Sequence, residues 1–378
     1  MTIQKITNLV KQESEKMTKK FLLIMVGLIL IFSTLLYACA APAPAPAPTP
    51  APAPAPEKPA YQWRLGVIGE DPMSIRMRGA EMFAKLLKER SGGRIIVGLY
   101  PGNLLGDWTV QNELVAEGSL ELTMGCMNPA LDKKLNVNAL NYMYFDAKSC
   151  RDAFMLPNGW LANLLEPVAN SSNFKVLYWM HEGWVGVHMT EGNLPRVDTV
   201  ENWFADTAKM KIRCEPVKTM EKHTEAMGFK AVVLSFSEVY TALQTGAIDG
   251  WVGSGIGRAV QYSDVIRYRI EERGKVDAMP LMMNLDLFNS MSAEDQKILQ
   301  DTSYEVQKWG FDTIEEDEVT MWLKKAQEVN VEIIQLAPAV LAEIIKRDRD
   351  IEWVYAEKEL IGKEFMDAVR ANAQKPPL

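Results

Sequence analysis

The chain has 378 residues, of which 24% are charged, and a formal net charge of −8. The acidic balance and the lack of any basic block argue against a nucleic-acid surface. Three histidines leave little material for metal or acid–base chemistry. The cysteines beyond residue 39 (Cys126, Cys150 and Cys214) are odd in number and far apart, which speaks for buried thiols rather than a disulfide framework.

The first element is a basic start (Lys16, Lys19, Lys20) followed by an apolar run over 21–37 and then Leu36-Tyr37-Ala38-Cys39. This is the layout of a bacterial lipoprotein signal over 1–38, with cleavage before Cys39 and acylation of its thiol. The alternative is one membrane-spanning helix, but seventeen residues sit at the low edge of what crosses about 30 Å of hydrocarbon. Met17 opens a more ordinary signal than Met1, so the start stays open between them. Residues 39–60 follow as lipidated cysteine and tether. Their Ala/Pro alternation over 41–56 predicts a polyproline II spacer, about 3.1 Å per residue and roughly 50 Å long. Removal of the signal, with its five lysines and two glutamates, leaves a mature chain near −11. An exported domain of this kind works where there is no ATP.

The rest, 61–378, exceeds what one core usually serves and suits two lobes. A strand is expected at 64–68 and a helix at 79–90, with Ala80, Phe83, Leu86 and Leu87 on one face and Gly92-Gly93 as its stop. A strand at 95–100, a helix at 107–117, a strand at 120–125 and a buried strand at 174–180 follow. A second alternation has strands at 211–214, 231–234 and 247–252 around helices at 219–227 and 238–245. Ser292 and Asp295 form a capping pair for a long helix to about residue 329, roughly 55 Å at 1.5 Å per residue. The tail, 339–373, reads as helical and charged. The pattern implies an α/β, two-lobed fold like that of periplasmic binding proteins, with a central cleft, hinge strands and a long helix crossing both lobes. Lobe I would take 61–185 plus 278–315, and lobe II 186–277 plus 316–378. Strand-to-helix loops are the candidate cleft walls.

Catalytic motifs are missing. His181-Glu182 with His188 has a spacing of seven in a strand-like stretch, not the helical HExxH spacing of a zinc site. Gly253-Ser254-Gly255-Ile256-Gly257 is part of a dinucleotide fingerprint, but Arg258 stands where the third glycine is required; a flexible turn fits better. Acidic pairs such as Glu70-Asp71 lack a second carboxylate that can be placed across a cleft. No cofactor, metal or enzymatic activity is expected.

Two stretches carry a family resemblance. One is Gly79-Ala80-Glu81-Met82-Phe83-Ala84 through Ser91-Gly92-Gly93-Arg94-Ile95 to Tyr100-Pro101-Gly102-Asn103-Leu104-Leu105-Gly106. The other is Lys211-Ile212-Arg213 followed by Ser237-Glu238-Val239-Tyr240-Thr241-Ala242-Leu243-Gln244-Thr245-Gly246-Ala247-Ile248-Asp249-Gly250. Together they resemble the solute-binding proteins of TRAP (tripartite ATP-independent periplasmic) transporters. The resemblance implies a hinge-closing protein that captures a small organic acid. It would deliver that acid to the small and large membrane subunits of an ion-driven transporter, from a position lipid-anchored outside the cytoplasmic membrane. Whether the chain forms a homodimer stays open.

The resemblance also implies that Arg213 pairs with the ligand carboxylate, a role that suits a guanidinium's planar fork. Trp251, Glu70, Asn128, Phe236, Trp184 and Glu238 are further candidates. Each has an ordinary structural alternative: core packing for the tryptophans, a turn for Asn128, solvation for Glu70 and a capping box with Ser235 for Glu238. The family's "DG-x-x-N" asparagine is missing after Asp249-Gly250, and Lys209-Met210 replaces the usual Gly-Leu. With Trp184, Phe236 and Trp251 in view, the ligand expected is a partly apolar or aromatic monocarboxylate. The rival readings are a binding lipoprotein of an ABC importer, an exported hydrolase and a structural lipoprotein.

Overall fold

Local chemistry sets the elements before packing does. The first helix, Ile75–Arg90, starts where the Ser74 side chain accepts from the Met77 amide, and it buries Ile75, Ala80, Phe83 and Leu87. Fully burying a side chain such as Ile75, Phe83 or Leu87 stabilises by about 1.5–3 kcal/mol. Asp107 opens Trp108–Ala116, its side chain accepting from the Trp108 amide at 2.7 Å. The chain is described here by a computed structural model covering residues 60–69 and 71–377. The signal, Cys39, the tether and Glu70 lie outside the described residues.

Eleven strands are described: β1 (Tyr61–Val67), β2 (Ile95–Pro101), β3 (Leu122–Met124), β4 (Phe174–Trp184), β5 (Gly186–Met189), β6 (Lys211–Cys214), β7 (Lys230–Val233), β8 (Gly250–Ser254), β9 (Tyr268–Glu271), β10 (Val276–Asn284) and β11 (Glu332–Gln335). They form two sheets, ordered β2-β1-β3-β10-β4 and β11-β9-β5-β8-β6-β7. β1 is parallel to β2 and β3, while β10 runs antiparallel to β3 and β4. β6 is parallel to β7 and β8. The fold is the expected two-lobed α/β one, with one sheet at the heart of each half.

Two short crossings join the sheets. Val185 alone separates β4 from β5, and residues 272–275 separate β9 from β10. The Val185 amide donates to the Lys275 carbonyl at 2.9 Å, which ties the crossings together. The long helix is a third link. Ser292 Oγ accepts from the Asp295 amide at 3.1 Å, and Ala293–Asp317 follows, packed on the first core through Leu299, Val306 and Ile314. The helix widens to a π turn and continues as Leu323–Glu328, where Trp322 and Ala326 join a core of the second sheet.

Two expectations are corrected. The strand expected at 247–252 begins only at Gly250, because the Ala247 amide closes the preceding helix onto the Ala242 carbonyl. The tail, expected in the second lobe, divides: Val340, Ile344 and Ile345 stay in a core of the second sheet, while the part from Trp353 onward packs on the first. Trp353, Ala356, Leu360, Ile361, Met366 and Val369 share a core with Phe154, Leu161, Leu165 and Trp179. Its apolar stripe docks on the helices Ala147–Phe154 and Trp160–Ser171, which no periodicity in the tail itself could name.

Candidate functional site

Residues at the carboxyl ends of strands from both sheets meet around a cavity of about 440 Å³, where α/β folds place their ligands. Ile68 follows β1 and Cys126 lies two residues past β3. From the second sheet come Arg213 of β6, Glu215 just beyond it, Phe236 beyond β7, and Gly253 and Ser254 of β8. Arg76, Trp108, Arg258, Asp277 and Met279 complete the wall. Arg258, on the helix Ile256–Gln261, also lines an adjoining space of about 350 Å³ with Glu182 and Trp322. The backbone comes very close here: a Cβ on Gly255 would lie 1.8 Å from the Glu182 carbonyl oxygen, so only glycine fits.

Charge is arranged unevenly around this cavity. Arg76 pairs with Glu182 and donates to the Ile68 carbonyl, while Lys275 pairs with Glu215 at 3.2 Å. Arg213 is 3% exposed and donates through Nε to the Leu234 carbonyl at 3.0 Å, which aims the guanidinium. Among the described residues it has no carboxylate in an ion pair. Burial lowers its pKa and Glu215 opposes that, so it stays a cation. The guanidinium carbons of Arg213 and Arg258 lie 5.8 and 5.1 Å from the Phe236 ring centroid, within cation–π range. Asp277 is buried and lacks a hydrogen bond to the described residues. Burial and then Glu182 raise its carboxyl to about 7, against the pull of Arg76 and Lys275.

Of the residues singled out in the sequence, Arg213 and Phe236 stand together on the cavity wall. The others do not. Trp251 is fully buried behind the wall, stacked on His188 at 4.2 Å, because its position on β8 points it into the core of Val239, Ile256 and Trp322. Trp184 packs against Tyr144 at the crossing, under Arg273. Asn128 braces its own loop, accepting from the Ala130 amide at 3.0 Å. Glu238 is exposed and forms the capping box with Ser235, at 3.1 Å to the amide and 2.8 Å to Oγ.

The wall residues not anticipated are Arg76, Trp108, Cys126, Glu215, Arg258, Asp277 and Met279. Only two had a local signal. Glu215 sits two positions past Arg213 at the end of a short strand, and Arg258 is the residue that breaks the glycine pattern. Arg76 and Asp277 reach the cavity from a helix and from an antiparallel strand.

Two sheets, two short crossings and a buried guanidinium with no ion pair among the described residues define a cleft-binding protein. The chain belongs to the bacterial extracellular solute-binding proteins of family 7, whose pattern matches residues 69–355. It is 29% identical over 184 residues to the sialic acid-binding periplasmic protein SiaP of Vibrio cholerae, which is 47% of this chain and 53% of that one. It is 23% identical over 258 residues to the 2,3-diketo-L-gulonate-binding periplasmic protein of Escherichia coli, 68% of this chain and 75% of that one. The chain spans about half the length of the first relatives it matches. Among solved structures, a TRAP periplasmic solute-binding protein of Desulfovibrio salexigens with bound orotic acid has a TM-score of 0.73 at 23% identity, covering 82% of this chain and 98% of that one. Another, from Sulfurospirillum deleyianum with bound succinate, has a TM-score of 0.71 at 19% identity, covering 83% and 99%. These likenesses show the fold. No helix of the described residues is long and apolar enough to cross a membrane.

Proposed function

We propose that the chain is an extracytoplasmic solute-binding lipoprotein, held by an acylated Cys39, that captures a small organic acid and passes it unchanged to the membrane subunits of a TRAP transporter. Arg213 carries this reading: a buried, oriented guanidinium that has no carboxylate partner among the described residues and could take an incoming one. Inside a water-excluding cleft such a pair is far stronger than at a surface. Succinate and orotic acid, the ligands of the two solved neighbours, both bear carboxyl groups. The apolar wall of Ile68, Trp108, Phe236 and Met279 favours a monocarboxylate with an apolar or aromatic body. Closure of the lobes about the two crossings, with boundaries near 185 and 277, would complete the pocket.

A thermal-shift screen of the purified protein over organic acids tests the reading, since a bound ligand stabilises by RT ln(1 + [L]/Kd). A carboxylate is expected to raise the midpoint; stabilisation by neutral sugars alone, or conversion of the bound compound, defeats it. By calorimetry, Arg213→Ala should weaken that acid by about 2–5 kcal/mol, the usual cost of truncating one partner of a buried charge pair. Labelling of Cys39 by a fatty acid in cells checks the anchor separately.

A further inference from the structure

Away from the cleft, a second set of charged side chains is sealed in the protein. His223 lies on the helix Lys218–Ala226, Asp348 ends the helix Pro338–Asp348, and Glu352 follows one turn later where the helix widens to a π turn over Arg349–Trp353. All three are fully buried. Glu272, on the β9–β10 crossing, is 1% exposed, with its Oε2 3.6 Å from His223 Nε2. We propose that His223, Asp348 and Glu352 form a site for a small divalent cation of the Mn2+ or Zn2+ class at the base of the two halves. The proposal is independent of the cleft's ligand.

Donor spacing is the first support. One ligand atom from each of the three residues lies within 4.8 Å of the others. Donors at about 2.0–2.2 Å around one ion sit roughly 3–4 Å apart, so a small adjustment closes the set. An imidazole with two carboxylates is a mixed N/O set that suits such ions.

Charge is the second. Asp348 and Glu352 are four residues apart on one helical run, and Glu272 adds a third buried carboxylate. Among the described residues no lysine or arginine pairs with any of them. Arg349, next in sequence, gives its hydrogen bonds to the carbonyls of Tyr142 and Gln374, at 2.8 and 3.0 Å. The one basic group facing these carboxyls is the His223 imidazole, and a bound cation would supply the positive charge that a single ring cannot.

A third, independent observation is an unmet acceptor. Asp348 Oδ2 is fully buried, takes no hydrogen bond from an N–H or hydroxyl and has the Glu352 carboxyl as its neighbour, while Oδ1 lies 2.7 Å from His223 Nδ1. A cation entering between them would displace the shared proton, as metal ligation generally requires.

The surroundings already hold the donors in place. The Asn141 amide and its Nδ2 donate to Glu352 Oε2 and Oε1, both at 3.1 Å. Tyr142 Oη and the Gly274 amide donate to Glu272 Oε2 at 3.1 and 2.7 Å, fixing that carboxylate behind the imidazole. Glu272 acts on His223 Nε2 through its charge, since at 3.6 Å the two atoms form no hydrogen bond. Gly274 leaves room for these groups: a Cβ there would lie 2.7 Å from Glu272 Oε2 and 2.8 Å from Asn141 Oδ1 and would push them aside.

The test uses the full chain, without a polyhistidine tag, stripped by chelator and then dialysed against Mn2+ or Zn2+ alone. Elemental analysis after desalting should find one equivalent of one of these ions, with a higher thermal midpoint. Glu352→Gln, which keeps the shape and one Asn141 hydrogen bond, and His223→Asn should each weaken that binding at least tenfold. Stoichiometry at background with an unmoved midpoint would mean that protons alone neutralise the cluster, and it would overturn the proposal. Equal metal content in well-folded Glu352→Gln would place the ion elsewhere and overturn it as well. Should the variants fail to fold, the wild-type stoichiometry and midpoint decide.

Discussion

The cleft and the cluster around His223 both bury charge, but with opposite surpluses. Around the cleft Arg76 pairs with Glu182 and Lys275 with Glu215, while among the described residues Arg213 and Arg258 have no carboxylate in an ion pair. Around His223 three carboxylates face one imidazole. An internal ion pair that is complete, such as Arg76–Glu182, asks for nothing further. An incomplete one marks where something from outside belongs, an anion in the first region and a cation in the second. The difference teaches that function is better read from the residual charge of a buried set than from its total.

The sharpest way to break this contrast is to remove half of the complete pair. Arg76→Ala should cost about 3–5 kcal/mol of stability by denaturant unfolding, because it strands Glu182 as a buried charge. Its effect on stability should exceed that of Arg213→Ala, which has no described carboxylate to strand. Near-equal losses would erase the distinction between complete and incomplete pairs.

Next comes pH. Asp277 is raised to about 7 by burial and by Glu182, against an unfolded value near 3.9. A raised acid contributes stability that is fully present below its unfolded pKa and is lost as pH rises through the folded one. The ligand-free protein should therefore lose stability between about pH 4 and 7, and Asp277→Asn should flatten that slope. Affinity for an anionic ligand should also fall as Asp277 ionises through pH 7, and calorimetry on Asp277→Asn should show no such fall. The charged groups acting on it are Arg76, Glu182, Glu215 and Lys275.

The smallest effects separate wall from core. Phe236→Ala should weaken ligand by about 1 kcal/mol, since it removes the face over which Arg213 and Arg258 lie. Trp251→Phe should leave affinity unchanged and alter stability only modestly, because its indole Nε1 is buried without a partner and offers no hydrogen bond to lose. Ligand loss from Trp251→Phe equal to that from Phe236→Ala would put Trp251 back on the wall.

Much of this molecule is visible along the chain because the signals are local. The strand at 211–214, the Ser235–Glu238 capping box, the Ser292–Asp295 helix start and the break of that long helix near residue 329 all depend on neighbours within a few residues. Arg213 is marked by its place in a strand end and by a family resemblance. The direction of each tryptophan is not visible in that way. Trp251 and Trp184 read as stacking surfaces, yet strand pleat and crossing geometry turn both into cores.

Sequence alone determined the alternation of strands and helices, the two-lobed class and one cationic residue of the cavity wall. Propensity, caps and periodicity act over a few residues and survive without knowledge of the rest. Tertiary structure alone decided which charges remain unmatched. Glu182 meets Arg76 across 106 residues, and His223 meets Asp348 across 125. Whether a buried charge is answered depends on such distant pairs, and only the packed chain brings them within reach.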